Sequence, residues 1–396
     1  SAIVLSATLS IEARQRLATA FQRGLGCAPE PISQTHYPLL TVVSGGGAHS
    51  HPVATRAEIA RDLSVARIAT MSAVAEHIAD KSRQGATAAW IRNTVDDAIG
   101  ACEALRAHGI EPILLHARFA MGDRLDIEED VQRRLGKAST LETRRNPDGS
   151  GVVVVGTQIL EQSLDYDVDA MVMDLAPVDM IIQRAGRLWR HPARSGRPIA
   201  ESERVLMVLS PDPSANKIGK DWYREVSPGA AAVYPDHGYV WLSARALFER
   251  GAIRTPDGIR DLLAAVYNDE PQADVPDGLT RASLDADGRR HAARSLAAAN
   301  SLSVTEGYLG NNALFLEDTV TPTRLGEKST VFRLAKRVGG RIVPWHSVEE
   351  AGSPARAWAL SECAVRETKA SGIPEPAGPL AAEIAAVKET WPKWEQ

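Results

Sequence analysis

Apolar runs and amphipathic stretches alternate along the first half of the chain. Ala2–Leu5 is a short apolar run that reads as a strand, and Ser10 opens a helix from Ile11 to about Arg23. The spacing predicts a helix over Ala73–Gln84 and a strand over Ala86–Ile91. Thr94, with Asp97 three residues on, makes a capping box for the next helix. On that helix Val95, Ala98, Ile99, Cys102 and Leu105 form one apolar stripe, and Gly109 ends it. Pro112–Leu115 is another strand. A helix from about Asp123 to Leu135 buries Leu125, Ile127, Val131 and Leu135. Val152–Val155 and Ala170–Leu175 are apolar throughout, as strands buried on both faces are. Pro177 then breaks the chain, and Asp179 is placed to cap a helix rich in arginine. Val205–Leu209 adds one more strand. Strands and helices in alternation with short loops predict an α/β fold built on a doubly wound parallel sheet.

After Pro211 the pattern changes. Residues to about Tyr239 are rich in Pro, Asp and Gly and read as a connection. Helices are expected over Trp241–Arg250, Asp257–Tyr267 and Arg289–Ala299, with a loop at Pro271–Pro276. From Leu302 to Trp345 the segments shorten, with strand-like runs at Ala313–Leu316 and Thr330–Leu334, so a smaller mixed α/β domain is expected there. Trp391 and Trp394 close the chain, suited either to docking on a surface or to core packing.

The chain has 396 residues, 44% of them apolar and 24% charged, enough for two or three globular domains. The net charge of −5 gives no global signal for nucleic acid, so any such surface must be local. Three cysteines, Cys27, Cys102 and Cys363, are too few and too scattered for a disulfide framework or a zinc site. That usage fits a reducing cytoplasm. No apolar run is long enough to span a bilayer, so no membrane role is expected. The chain enters an apolar run almost at once from Ser1, and is expected to be a piece of a longer protein.

Candidate chemistry gathers at the carboxyl ends of the strands, the edge where open α/β sheets hold ligands. Asn93 and Thr94 follow one strand, His116 to Phe119 another, and Gly156 to Asp165 a third. Thr157 and Gln158 can donate to phosphate oxygens, and Arg118 can pair with a phosphate. Phe119 either stacks on a base or packs in the core. Five arginines and no acid lie between Ile181 and Arg197. On the helix that follows Pro177, Gln183, Arg187 and Arg190 share one face. Guanidinium forks there suit the phosphate oxygens of a nucleotide. Asp165, Asp167 and Asp169 alternate as if on one strand face, and His49 with His51 forms a pair, but neither set has a further ligand in view, and no metal site is assigned. No Gly-x-x-x-x-Gly-Lys-Ser/Thr loop occurs, and Gly326-Glu327-Lys328-Ser329 does not make one. Nor does a strand end in Asp-Glu.

These motifs resemble the CRISPR-associated helicase–nuclease of type I systems, a superfamily-two helicase. Ser6-Ala7-Thr8 matches the motif that closes the family's first RecA-like lobe. Asn93-Thr94 and His116-Ala117-Arg118-Phe119 are similar to second-lobe motifs that face nucleic acid. The run Thr157 to Asp167 follows the fifth motif, and Gln183 to His191 the sixth. Pro256, Arg260 and Tyr267, and later Thr323 to Glu327, are similar to its linker and carboxy-terminal domain. The resemblance implies a remnant of the first lobe at 1–10, a second RecA-like lobe at 11–215, linker helices at 216–300 and a carboxy-terminal domain at 301–396. It implies an ATP-dependent motor that runs 3′ to 5′ along single-stranded DNA in antiviral defence. Arg187, Arg190 and Gln183 would be catalytic and, with Asp165, face the nucleotide. Asn93, Thr94, His116, Arg118, Thr157 and Gln158 would face DNA. ATP and Mg²⁺ would be held mainly by the first lobe, which with the nuclease domain is absent here, so the isolated chain is expected to be inactive. Expected partners are single-stranded DNA, a guide-RNA surveillance complex, and the first lobe and nuclease domain of the same enzyme. A reading of another class, a non-catalytic module that docks on a partner protein, is also compatible with the acidic balance and the tryptophans of the tail.

Overall fold

The computed structural model describes residues 2–6, 8–162, 164–300, 329–370 and 376–391. They form two compact units, Ser1–Leu114 with Val131–Ala286, and Leu115–Asp130 with Asp287–Gln396.

The first unit opens with the helix Ile11–Gly24, capped by Ser10 as the sequence predicts. The run Ala2–Leu5 is not a strand: Ile3 and Leu5 are exposed, and no strand among the described residues pairs with them. A hairpin follows, β1 (Leu39–Ser44) and β2 (Gly47–Pro52), antiparallel with Ser44 opposite Gly47. Gly45 and Gly46 make its turn, and His49 and His51 sit on β2.

The centre is a seven-stranded sheet. Its strands are β3 (Arg61–Ile68), β4 (Ala88–Ile91), β5 (Ile113–Leu115), β6 (Val153–Gly156), β7 (Ala170–Asp174), β8 (Val205–Leu209) and β9 (Ala252–Thr255). They run in the order β5-β6-β4-β7-β8-β3-β9. β4 is parallel to β6 and β7, and β8 is parallel to β7 and β3. β9 is antiparallel to β3, pairing Arg61 with Thr255. The expected parallel α/β sheet is therefore present, and β3 and β9 extend it beyond the strands that the apolar runs predict. Every residue of β4, β6 and β7 is buried, which is why those runs are apolar throughout.

Helices Met71–Arg83 and Val95–Ala107 cover one face of the sheet. Ile78 and Leu105 are fully buried there beside Trp90 and Val172. Each such aliphatic side chain contributes about 1.5–3 kcal/mol. Gly151 lets two backbones meet: a Cβ at that position would stand 2.0 Å from the Ala86 carbonyl oxygen.

The stretch after Pro211 is packed, not a free connection. Trp222 and Tyr223 are buried, and Tyr223 Oη donates to the Leu175 carbonyl at 2.7 Å, beyond the end of β7. Helices Pro228–Val233, His237–Arg250 and Ile259–Tyr267 follow. The helix His237–Arg250 packs on β3 and β9. Residues 216–300, expected to hold linker helices, thus also supply the strand β9. The expected loop at Pro271–Pro276 is partly taken up by the helix Asp269–Gln272. The helix expected over Arg289–Ala299 belongs to a longer one, Asp277–Asn300.

In the second unit, β10 (Ser329–Arg333) pairs with β13 (Glu362–Arg366), and β11 (Ala335–Val338) with β12 (Arg341–Pro344). The strand-like run Thr330–Leu334 is thus β10. The run Ala313–Leu316 lies outside the described residues, as does Trp394. Trp391 packs edge-on against Trp358, with ring centroids 5.4 Å apart. No helix among the described residues is long and apolar enough to cross a membrane.

Candidate nucleotide and nucleic-acid site

The exits of β4, β6 and β7 build the site in the first unit. After β4, Thr94 caps the helix Val95–Ala107. Its Oγ1 accepts from the Asp97 amide at 3.1 Å and donates to Asp97 Oδ2 at 2.5 Å. Asn93 is buried, and its Nδ2 donates to the Leu175 carbonyl at 2.7 Å and to Tyr223 Oη at 3.3 Å. Its Oδ1 accepts from Arg184 Nη1 at 3.0 Å. Both polar atoms of this side chain are engaged inside the fold, so Asn93 braces the strand exits instead of reaching outward. After β6, Thr157 is buried and Gln158 exposed. Their carbonyls accept from the Leu160 and Glu161 amides, each at 2.9 Å.

After β7 the chain enters the helix Val178–Ala185 at Pro177. Asp179 is not its cap. The Asp179 carboxylate accepts from Tyr267 Oη, and the first amide, Val178 N, donates to Ser243 Oγ at 3.0 Å. The helix stops at Ala185, so Arg187 and Arg190 lie beyond it, in a turn. The helical face expected to join them to Gln183 therefore does not exist. A cavity of about 330 Å³ brings the three together, and Tyr37, Arg61 and Glu161 also line it.

The turn is tight. Trp189 has φ 49°, the left-handed region that a bulky side chain enters at a cost of about 1 kcal/mol or more. Its amide donates to the Val168 carbonyl at 3.0 Å and its indole Nε1 to the Asp169 carbonyl at 2.9 Å. Arg197 and Arg204 lie over its ring.

Arg187 Nη2 donates to the Glu161 carbonyl at 2.8 Å, while its Nε is buried with no partner. A buried donor left unmatched is costly, and an anion in the cavity would satisfy it. Burial, and then the nearby charge of Arg190, hold the Arg187 guanidinium below its ordinary range. A phosphate would relieve that repulsion. Arg190 Nε donates to Asp165 Oδ1. Burial pushes the Asp165 carboxyl up, but the hydrogen bond and charge of Arg190 prevail and hold it below the usual range. Gln183 Nε2 donates to Thr8 Oγ1 at 3.1 Å, which ties the sixth motif to the Ser6–Thr8 segment.

The other arginines of the stretch are structural. Arg184 is fully buried against Glu161, Asn93 and Tyr234. Arg194 and Arg197 pair with Asp167 and Asp169, which are buried and do not alternate along a strand. The stretch from Ile181 to Arg197 holds no acid of its own, yet these arginines are paired. Their partners stand some twenty to thirty residues earlier in the chain. Tyr37 and Arg61 were not singled out as site residues, and no periodicity or motif marks them.

His116 and Arg118 belong to the second unit. His116 is buried and stacks on Phe119 at 4.3 Å, and its Nδ1 accepts from the Arg118 amide at 3.2 Å. Among the described residues no group of three His, Cys, Asp or Glu side chains gathers to hold a metal ion.

The parallel sheet with its polar strand exits has the architecture of a RecA-like α/β domain. Comparison with known proteins narrows the class. Residues 84–193 match the family model for the C-terminal part of the CRISPR-associated nuclease/helicase Cas3. The CRISPR-associated nuclease/helicase Cas3 of Streptococcus thermophilus is 28% identical over 280 residues, 68% of this chain and 27% of that protein. The crystal structure of T. fusca Cas3 with AMPPNP superposes with a TM-score of 0.74 at 26% identity, covering 91% of this chain and 43% of that one. A chain of a CRISPR RNA-guided surveillance complex, pre-nicking, gives 0.69 at 25% identity, covering 96% and 48%. The chain is thus similar to a carboxy-terminal part of Cas3 nuclease/helicases. It spans about a quarter of the Streptococcus relative and less than half of each solved chain.

Proposed function

We propose that this chain is the second motor lobe of an ATP-dependent helicase of CRISPR interference in the cytoplasm, one that moves 3′ to 5′ on single-stranded DNA. The cavity that holds Gln183, Arg187 and Arg190 together, with one buried guanidinium donor unmatched, carries this reading. The relative solved with AMPPNP supports a nucleotide as the occupant, and the one solved in a surveillance complex supports a guide-RNA assembly as partner.

On this reading ATP and Mg²⁺ sit mainly on the first lobe, which closes over the cavity. Mg²⁺ would supply charge neutralisation on the phosphates. Arg187 and Arg190 stabilise the charge that develops on the γ-phosphoryl oxygens, and Gln183 registers the nucleotide or the attacking water. Asp165 holds Arg190 in reserve until the phosphate competes for it. Thr94, Thr157, Gln158, His116 and Arg118 serve the DNA backbone, Asn93 by bracing the strand exits. Backbone contacts carry no base information, so binding is sequence-tolerant and salt-sensitive. The first lobe and the nuclease domain of the same enzyme complete the machine.

The test is ATP turnover with single-stranded DNA. The isolated chain is expected to show none. In the enzyme that contains it, Arg187→Ala is expected to lower kcat on the order of 10³-fold while ATP still binds. Near-normal turnover by that variant overturns the role of Arg187. The competing reading, a docking module without nucleic acid, requires that no salt-dependent DNA binding be seen in fluorescence anisotropy.

A further inference from the structure

Arg61 opens β3 and points into the turn that follows the helix Val178–Ala185. Its Nη2 donates to the Ala185 carbonyl at 3.0 Å. Its Nη1 donates to the carbonyls of Leu188, at 2.7 Å, and Trp189, at 3.1 Å. The three acceptors bracket Arg187 and end just before Arg190. They lie where the helix ends, and of the three the Ala185 carbonyl also accepts from the Leu188 amide at 3.2 Å. One of them is the left-handed Trp189. Arg61 also lines the cavity.

A guanidinium suits this task as an ammonium does not. Its planar fork can serve carbonyls that point from different directions, whereas a lysine offers a compact charge on a flexible stem. Its positive charge also sits at a helix carboxyl end, where cations are favoured. Burial and the like charges of Arg204 and Arg190 work against its charge, while Asp167 works for it. Its three hydrogen bonds to the turn fix where the side chain points.

We propose that Arg61 is a positioning residue for ATP hydrolysis: it splints the turn and thereby aims Arg187 and Arg190 at the phosphates. This rests on the nucleotide reading of the cavity. The side chain acts through the turn, so ATP affinity depends on it little and turnover depends on it strongly.

The experiment compares Arg61→Lys, Arg61→Ala and Arg187→Ala in the full enzyme that contains this chain, with kcat and KM for ATP measured under saturating single-stranded DNA. Arg61→Lys keeps the charge and is expected to lower kcat about tenfold to a hundredfold with KM changed less than about threefold, the scale of loss when a catalytic group is slightly misplaced. Should Arg61→Ala not fold, the lysine variant alone decides. A lysine variant with wild-type kcat, beside a dead Arg187→Ala, overturns the splint and leaves the nucleotide reading standing. A raised KM with unchanged kcat also overturns it, because Arg61 would then be a direct phosphate contact. Normal turnover by Arg187→Ala overturns both.

Discussion

Arg184 Nε lies 3.1 Å from Glu161 Oε2, and both side chains are buried. The other two arms of Arg184 reach Asn93 Oδ1 at 3.0 Å and Tyr234 Oη at 3.1 Å. One guanidinium thus ties together the exits of β4 and β6 and the helix after β7. Glu161 in turn offers its backbone carbonyl to Arg187. Two arginines three residues apart have opposite tasks: one is locked inside, and the other faces the cavity.

Removing Arg184 leaves a buried carboxylate whose Oε1 already lacks a partner. Burial pushes the Glu161 carboxyl up, and the Arg184 charge pulls against that. Arg184→Ala is therefore expected to cost about 3–5 kcal/mol, the range seen when one member of a buried pair is deleted. Urea unfolding of the chain measures it. A loss below 1 kcal/mol would show that the network is not holding the strand exits together. Arg184→Ala combined with Glu161→Gln is expected to recover part of the loss, since the orphaned charge is then gone.

Asp165 and Arg190 form a half-exposed pair. Such pairs contribute about 0–1 kcal/mol, so Asp165→Asn is expected to leave the unfolding midpoint almost unmoved. Its effect should fall on ATP handling, because Arg190 no longer has a carboxylate to leave. Calorimetry and steady-state ATPase on the full enzyme check the two halves. A large loss of stability would make the pair structural.

Cys102 gives a dependence on pH. Burial pushes its thiol up to about 11, from an ordinary 9.0. Between those values the folded chain keeps a proton that the unfolded chain has lost. Stability from this group is intact below about pH 9 and declines as pH rises toward 11. Unfolding free energy followed from pH 8 to 11 is expected to fall less steeply in Cys102→Ala. Native Cys102 should resist alkylation at pH 8, while partly exposed Cys27 reacts. Rapid alkylation of native Cys102 would contradict its burial.

DNA binding gives the fourth check. If Gln158 serves the phosphate backbone, Gln158→Ala should weaken binding of single strands of any sequence to a similar degree. Arg118→Ala should also reduce the salt slope by about 0.7, one phosphate's share for a single strand. A loss confined to one sequence would place Gln158 against a base.

The central strands were legible because burial on both faces leaves little room for polar residues, as β4, β6 and β7 show, while β8 is apolar with Val205 and Met207 only half-buried. β3 and β9 were harder to see. β3 alternates with exposed charges, and β9 is four residues long with Arg254 exposed. The helix after β7 was legible at its start and misread at its end, because Gln183, Arg187 and Arg190 keep helical spacing while the backbone does not. Gly186 has an ordinary helical conformation, so nothing local announces the stop. The burial of Arg184, Arg194 and Arg197 was hidden for a different reason. Their carboxylates come from Glu161, Asp167 and Asp169, and only folding brings them close. The lining contributed by Tyr37 and Arg61 is tertiary throughout.

The wall of the cavity has a consequence for how the protein is made. Tyr37, Arg61, Glu161, Gln183, Thr255 and Ile259 all contribute to it. A nascent chain leaving the ribosome would carry every arginine of the turn long before β9 is synthesised. Until then one side of the basin is missing, and the guanidinium cluster stands open to water and to any passing polyanion. On the nucleotide reading, competence to grip a triphosphate is thus deferred by the order of translation.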